Sequence, residues 1–342
     1  MNDLALAIVN KEILKQTKNR WQIFKTKELQ ALAKIESSLM KGARKYIEEK
    51  GFVEIMAPHM TKATGSCENF MTVFELDYFG QRSYLSQTAQ LYLEVLTPFL
   101  KKVWTVIHSF RAEPDVDGRH LTEFPLIEIE FEGNFEELIE YIEGIINSMI
   151  ATAAKESKEE LKIFGIHEED ISIFKPPYKR LSYSQAIELL QEKRIEINWG
   201  DDIKSSHEKT LCKTLNFKPF FLTHWPTTIK FFDMKNNDEN PNIVNSCDLI
   251  LPYSGEAVGG AEREHIYQML EKKLGESKML ELLKQRGGRI EDFEWFLDFY
   301  NNHKVNLHSG CGIGFNRVTQ SLLRTDDIRA CTVFPLNRET IW

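Results

Sequence analysis

The chain has 342 residues, 42% of them apolar and 27% charged, which suits a soluble globular protein with one large core or two smaller ones. A net charge of −8 speaks against a non-specific nucleic-acid binder and mildly against RNA as an obligatory partner, and no apolar run approaches the roughly 20 residues that cross a bilayer. Five scattered cysteines without metal-ligand spacing, and an N-terminus without the features of a secretion signal, point to reduced thiols in a cytoplasmic protein.

Along the chain, the first strong periodicity lies at 25–50. There Leu29, Leu32, Ile35, Leu39, Ala43 and Ile47 recur at three- and four-residue spacing and predict a long helix stopped at Gly51. An extended stretch through Pro58 follows. Residues 83–85 read as the end of a strand and 87–100 as a helix. The apolar runs 104–111 and 124–131, joined by a polar link at 114–119, predict an antiparallel hairpin with a long tip. Residues 135–157 read as helix, and the more polar 158–218 as a helical excursion from the main sheet. Strands are expected at 220–234 and 243–251 around a polar turn at 236–242, and helices at 263–286 and 290–301. A glycine-rich segment, 309–315, then opens a helix at 317–323. Helices and antiparallel strands without βαβ alternation favour an α+β fold.

Three segments matter most. The first is the helix–strand unit ending in Pro58, which alone says little. The second is Phe110-Arg111-Ala112-Glu113 followed, after a link, by Arg119-His120-Leu121-Thr122-Glu123-Phe124. Two arginines and a histidine on the arms of one hairpin can converge on a polyanion, because the guanidinium fork bonds phosphate oxygens in pairs and keeps its charge. Phe124 can offer a ring face to a base; the plainer alternative is a surface hairpin laced by Arg–Glu pairs. The third runs from His308 through Arg317. Its spaced glycines let the backbone pass close to a ligand, and the helix that follows favours negative charge at its start. The spacing fits neither the dinucleotide fingerprint nor the phosphate-binding P-loop.

Together and in this order, the three segments resemble motifs 1, 2 and 3 of the class II aminoacyl-tRNA synthetases. Gln90–Glu94, Asp248 to Leu251, Gly255 to Glu264 and Ile328 to Pro335 are similar to the asparaginyl branch, and the likeness covers about 31–336. It implies a central antiparallel sheet flanked by helices in a catalytic domain over 25–342, with an excursion around 155–218 and an N-terminal extension at 1–24. It also implies that ATP and magnesium are used to join an amino acid to AMP. Arg111 would hold the α-phosphate, Glu113 the adenine edge and Phe124 its face. Arg119 and His120 would hold the outer phosphates, and Arg317 would reach the γ-phosphate from the other face of the adenine. Asp248 and Glu256 would hold magnesium. Gln90, Glu128 and Arg263 would line the amino-acid pocket. Leu93 stands where aspartyl enzymes carry a lysine, which favours an amide side chain over a carboxylate, and Glu94 would accept from the amide nitrogen.

The chain also departs from the family pattern. Only about 25 residues precede the first motif, too few for the anticodon-reading β-barrel of tRNA-charging members. Thr64 stands where the family has a glutamate for the substrate's α-ammonium, Asn316 where an acid precedes the motif 3 arginine, Cys311 for an aromatic residue and Ala330 for an aspartate. These departures suggest an enzyme that activates asparagine, or aspartate, and passes it to ammonia or another small amine. Charging of tRNA without an anticodon module, and a non-catalytic nucleotide-binding regulator, are the alternatives. The motif 1 resemblance implies a two-fold homodimer.

Overall fold

The computed structural model describes residues 11–63 and 70–341. Its first long helix runs Lys27–Glu49, capped by Thr26, whose hydroxyl accepts from the Leu29 N–H at 3.3 Å, and ended by Gly51 at φ +78°. Its apolar stripe packs on a second long helix, Phe135–Glu156, which starts in a capping box built by Asn134 and Glu137. Glycines set how closely the two approach: a Cβ on Gly42 would overlap the Ser148 carbonyl oxygen, and one on Gly144 would overlap the Tyr46 ring. Ahead of the first helix, the Arg20 guanidinium is buried and donates to the Gln16, Thr332 and Val333 carbonyls at 2.8–3.0 Å, tying residues 11–24 to the C-terminal end.

Eleven strands follow in chain order: β1 Val53–Glu54, β2 Met60–Thr61, β3 Glu75–Tyr78, β4 Gln81–Leu85, β5 Lys102–Phe110, β6 Glu123–Glu132, β7 Lys179–Ser182, β8 Phe220–Thr223, β9 Ser246–Leu251, β10 Gly255–Glu262 and β11 His308–Gly314. Eight of them form the main sheet in the order β1-β5-β6-β11-β10-β9-β8-β7, and β2-β4-β3 make a small second sheet. Its interior pairs are antiparallel, while β1 and β7 add parallel at the two edges. This is the α+β layout expected from the sequence.

Alternation along the strands decides which way the sheet faces. Ile127, Ile129 and Phe131 of β6, Cys247, Leu249 and Leu251 of β9, and Cys311 and Ile313 of β11 pack into one core with the two long helices. Residues between them point to the opposite face.

Several elements differ from the sequence reading. The helix at 87–100 is two short pieces, Gln90–Glu94 and Thr97–Leu100, broken ahead of Pro98, which lacks an N–H to continue a helix. Strand β8 ends at Thr223, because His224 takes a left-handed φ of 59° and the chain turns away. Helix begins at Tyr267, so Arg263 sits at a strand end instead of in a helix. The stretch 158–218 is largely helical but also contributes β7 to the main sheet. The glycine-rich segment is a full strand, β11.

Candidate active site

Strand register builds the floor of the site. On the face away from the long helices, Thr105, Glu128, Gly312, Gly259 and Asp248 lie side by side on β5, β6, β11, β10 and β9. Acids stand on both sides of a stretch of bare glycine backbone. In the next row Glu130 pairs with Gly310, and a Cβ there would run into the Glu130 carboxyl. The glycines of β11 are therefore spacers for carboxylates of β6 as well as a surface for a ligand, which glycine spacing alone does not distinguish. A cavity of about 1070 Å³ opens over this floor.

At one end the cavity meets Arg111, Arg119, Phe124 and Arg317. The Arg111 guanidinium lies 5.0 Å over the Phe124 ring, so it covers one face of that ring. Arg317, in the first turn of the helix Phe315–Leu322, donates to the Ser254 carbonyl at 2.5 Å and to the Arg119 carbonyl at 3.2 Å. Burial and the charge of Arg119 depress its pKa, an environment that favours an arriving anion. Asn316 points elsewhere, donating to the Cys331 carbonyl at 3.0 Å.

Beside the arginines, Asp248 and Glu256 converge. A β-bulge between Glu256 and Val258 turns the Glu256 side chain out into the cavity. A Cβ on Gly259 would lie 3.4 Å from Glu256 Oε1 and 3.7 Å from Asp248 Oδ1, so the glycine keeps open the space that both carboxylates flank. Two carboxylates over open backbone fit a hard divalent cation that also takes phosphate oxygens and water. Among the described residues no group of three or more potential ligands is assembled, so protein atoms alone would not complete such a site. Lys230 donates to Asp248 at 2.8 Å and sits 4.2 Å over the Trp225 ring. Burial nevertheless pushes Asp248 up to about 7, against the pull of Lys230.

At the other end Gln90, Glu128, Glu130 and Arg263 line the cavity. Arg263 is fully buried and holds Glu130 through Nη2 at 2.6 Å and Nε at 3.1 Å, with Nη1 on Asp233 at 2.9 Å. The Gln90 amide donates to Asp233 at 2.5 Å and to Glu94 at 2.6 Å. Glu94 also accepts from the Tyr300 hydroxyl at 2.8 Å and faces His308 at 3.4 Å. Burial opposes ionisation of Glu94, yet the bond to His308 and the charge of Arg263 hold its pKa below the usual value. Burial pushes Glu128 up to about 7, where Thr88 and the Ala89 N–H still bond it. It pushes Glu130 up to about 8 and Asp233 up to about 6, with Arg263 pulling both down and Glu94 adding repulsion. Carboxylates outnumber the cations here, and they cannot all ionise together.

Nine candidates named from the sequence thus share one cavity, and Glu94, Glu113 and His120 do not line it. Glu113 lies in the hairpin tip, where its N–H bonds the Arg111 carbonyl at 2.8 Å. His120 is held by Asp117 at 3.0 Å in the same tip. Glu94 is buried behind the wall and reaches the cavity through Gln90, which bonds it, and Arg263, 3.9 Å away. Leu93 faces the apolar cluster around Ala89, Val103, Ile107 and Leu126, so its identity says nothing directly about the pocket. Thr64 falls outside the described residues. The sequence alone assigns no role to Glu130, Asp233, Lys230, Glu208, Tyr300 or His308. The alternation in Leu126-Ile127-Glu128-Ile129-Glu130-Phe131 carried a signal for Glu130, because two carboxylates on one face of an otherwise apolar strand need a purpose.

An antiparallel sheet with three arginines and two carboxylates at one end of an acid-lined cavity suits a nucleotide-dependent ligase of the adenylate-forming kind. Residues 12–338 match the family described as tRNA synthetases class II (D, K and N), and the chain belongs to it. It is therefore a ligase that forms an aminoacyl-adenylate from ATP. The asparagine–tRNA ligase of Thermococcus kodakarensis is 35% identical over 310 residues, 89% of this chain and 68% of that one. The asparaginyl-tRNA synthetase of Pyrococcus horikoshii, solved with asparaginyl-adenylate, superposes with a TM-score of 0.86 at 32% identity over 94% of this chain and 72% of that one. The Entamoeba histolytica asparaginyl-tRNA synthetase with the same adenylate gives 0.82 at 27%, over 95% and 71%.

Proposed function

We propose that the chain activates asparagine as its adenylate, with magnesium assisting, and transfers the asparaginyl group to a small amine. The observation that carries the choice of amino acid is the surplus of carboxylates around Arg263. A substrate carboxylate placed there adds one more acid to Glu94, Glu130 and Asp233, a cluster that already cannot ionise in full, whereas an amide adds no charge and offers N–H donors. Among the described residues Arg263 uses part of its five N–H donors, which leaves it able to take a carbonyl oxygen.

In the reaction, the substrate carboxylate oxygen attacks the α-phosphorus and the bond to the pyrophosphate oxygen breaks. Arg111 would neutralise charge growing on the α-phosphoryl oxygens, and Arg119 and Arg317 the charge on the departing pyrophosphate. Asp248 and Glu256 would hold magnesium, which would supply further charge neutralisation for the triphosphate. The remaining work is orientation: the glycine floor admits the substrate flat against β10 and β11, and Gln90, Glu128 and Arg263 fix its polar ends. The acceptor amine then forms its C–N bond as AMP leaves with the electron pair of the broken C–O bond, and the amine sheds a proton.

The overall charge of −8 supports a small acceptor over a polyphosphate one. Transfer to tRNA is the second reading, favoured by the identity with asparagine–tRNA ligases. Roles for Glu113, His120 and Glu94 in contact with ligand belong to the proposal too, the first two requiring the hairpin tip to fold over ATP. So do the two-fold homodimer, resting on exposed Val53, Met56 and Met60 beside the first long helix, and the division into a 1–24 extension and a 25–342 catalytic unit. ATP–pyrophosphate exchange tests the reading: asparagine should support it far better than aspartate. Exchange with aspartate but not asparagine would overturn it, and aminoacylation of added tRNA would decide for the second acceptor.

A further inference from the structure

One carboxylate at the arginine end of the cavity comes from neither motif nor metal pair. Glu208 sits on the helix Ser205–Thr214, in the excursion between the long helices and β8, and it lines the cavity with only 7% of its surface exposed. Carboxylates are rarely buried so deeply without an ion pair at contact distance. Glu208 makes none among the described residues; its oxygen is instead accommodated by Gly255 at the β9–β10 turn. There φ is +75°, and a Cβ would overlap Glu208 Oε2. The same Cβ position lies 3.9 Å from Arg317 Nη1, so the carboxylate and the guanidinium edge flank one vacant side-chain site. Among the described residues Arg317 itself bonds backbone carbonyls, of Ser254 and Arg119, and Asn316 beside it is turned toward Cys331. Three guanidinium groups, Arg111, Arg119 and Arg317, thus line this end of the cavity together, and the acidic side chain that would offset Arg317 does not come from the helix that carries it.

We propose that Glu208 is a positioning residue for the adenylation reaction, a counter-charge lent by the helical excursion that holds Arg317 against Gly255 and Ser254 in the pose that receives the triphosphate. The inference rests on the reading of the cavity as an ATP site. It makes the excursion a working part of the catalytic centre and explains why a glycine with a left-handed φ stands at residue 255. Removing Glu208 leaves Asp248 and Glu256 in place; burial and the charge of Glu256 oppose the ionisation of Glu208, and Arg317 and Arg119 favour it.

The test is a double-mutant cycle on ATP–pyrophosphate exchange with asparagine, using Glu208→Gln, Arg317→Ala and the double variant, with kcat and the KM for ATP at saturating magnesium. Glu208→Gln removes charge at constant shape. It should lower kcat about tenfold while leaving the KM for ATP unchanged or lower, because one anion fewer faces the triphosphate. In the Arg317→Ala background the same change should do less than twofold. Glu208→Asp keeps the charge one methylene short and should recover part of kcat, a rescue that mere space-filling does not produce; it also stands in if the glutamine variant folds poorly. Equal effects of Glu208→Gln with and without Arg317, or kinetic constants equal to the parent, overturn the proposal while the ATP-site reading stands. A parent chain with no exchange for any amino acid overturns both.

Discussion

Replacing Arg263 by methionine probes the buried network most directly. Its guanidinium holds Glu130 at 2.6 Å and Asp233 at 2.9 Å, with Glu94 at 3.9 Å, all essentially out of water. Removing one partner from a buried ion pair costs about 3–5 kcal/mol, because the other charge is left without compensation. Here the orphaned groups can escape by taking up protons, so the cost depends on pH. Glu130 and Asp233 have folded values of about 8 and about 6, above their ordinary 4.5 and 3.8. Between those limits the folded chain binds more protons than the unfolded chain, so stability is fullest at low pH and falls as pH rises through about 6 and then about 8. Without Arg263 both values climb further, and the fall becomes steeper. Urea unfolding of parent and Arg263→Met at pH 5.5 and pH 8.5 should therefore show a deficit near 4 kcal/mol at the higher pH and about half that at the lower. A deficit equal at both pH values, or under about 1 kcal/mol at pH 8.5, would show that the carboxylates do not depend on Arg263.

Arg111→Ala should abolish ATP–pyrophosphate exchange by at least about a hundredfold in kcat with an unchanged circular dichroism spectrum; exchange near the parent rate would discard its place at the α-phosphate. Lys230→Met removes the ammonium on Asp248, and the apparent magnesium requirement for exchange should shift severalfold, read by titrating the metal at fixed ATP; no shift would leave Asp248 outside the metal site. Gly42→Ala drives a methyl into the Ser148 carbonyl on the facing long helix and should cost about 1–3 kcal/mol in urea unfolding, with exchange by the folded fraction retained. Gly312→Val should abolish exchange while leaving stability within about 1 kcal/mol, because its Cβ position is open to the cavity, 3.6 Å from Glu128 Oε1.

How far the sequence reveals this arrangement follows from where each residue sits. Arg111, Glu128 and Arg317 lie on or beside long regular elements, so alternation and motif order place them on the face that the sheet presents. Asp233 and Lys230 lie in the irregular stretch between β8 and β9, where no periodicity says which way a side chain turns. Glu94 looks like one more helix carboxylate until the helix is found to be five residues long and walled in by Tyr300 and His308. Glu208 is hidden for a different reason: its excursion reads as a polar appendage, and only three-dimensional folding carries it back to the glycine turn. The short breaks before Pro98 and after Thr223 escape because a local turn outweighs the apolar pattern around it.

The parallel pairing of β7 with β8 has a practical consequence for anyone trimming this molecule. Excising 158–218 as a dispensable appendage would strip a partner strand from Phe220 and Phe221, two buried aromatic residues, and bare a row of main-chain amides and carbonyls. An open apolar edge of that kind recruits other chains. The minimised protein would precipitate as strand-paired aggregates before the loss of any catalytic group could be measured.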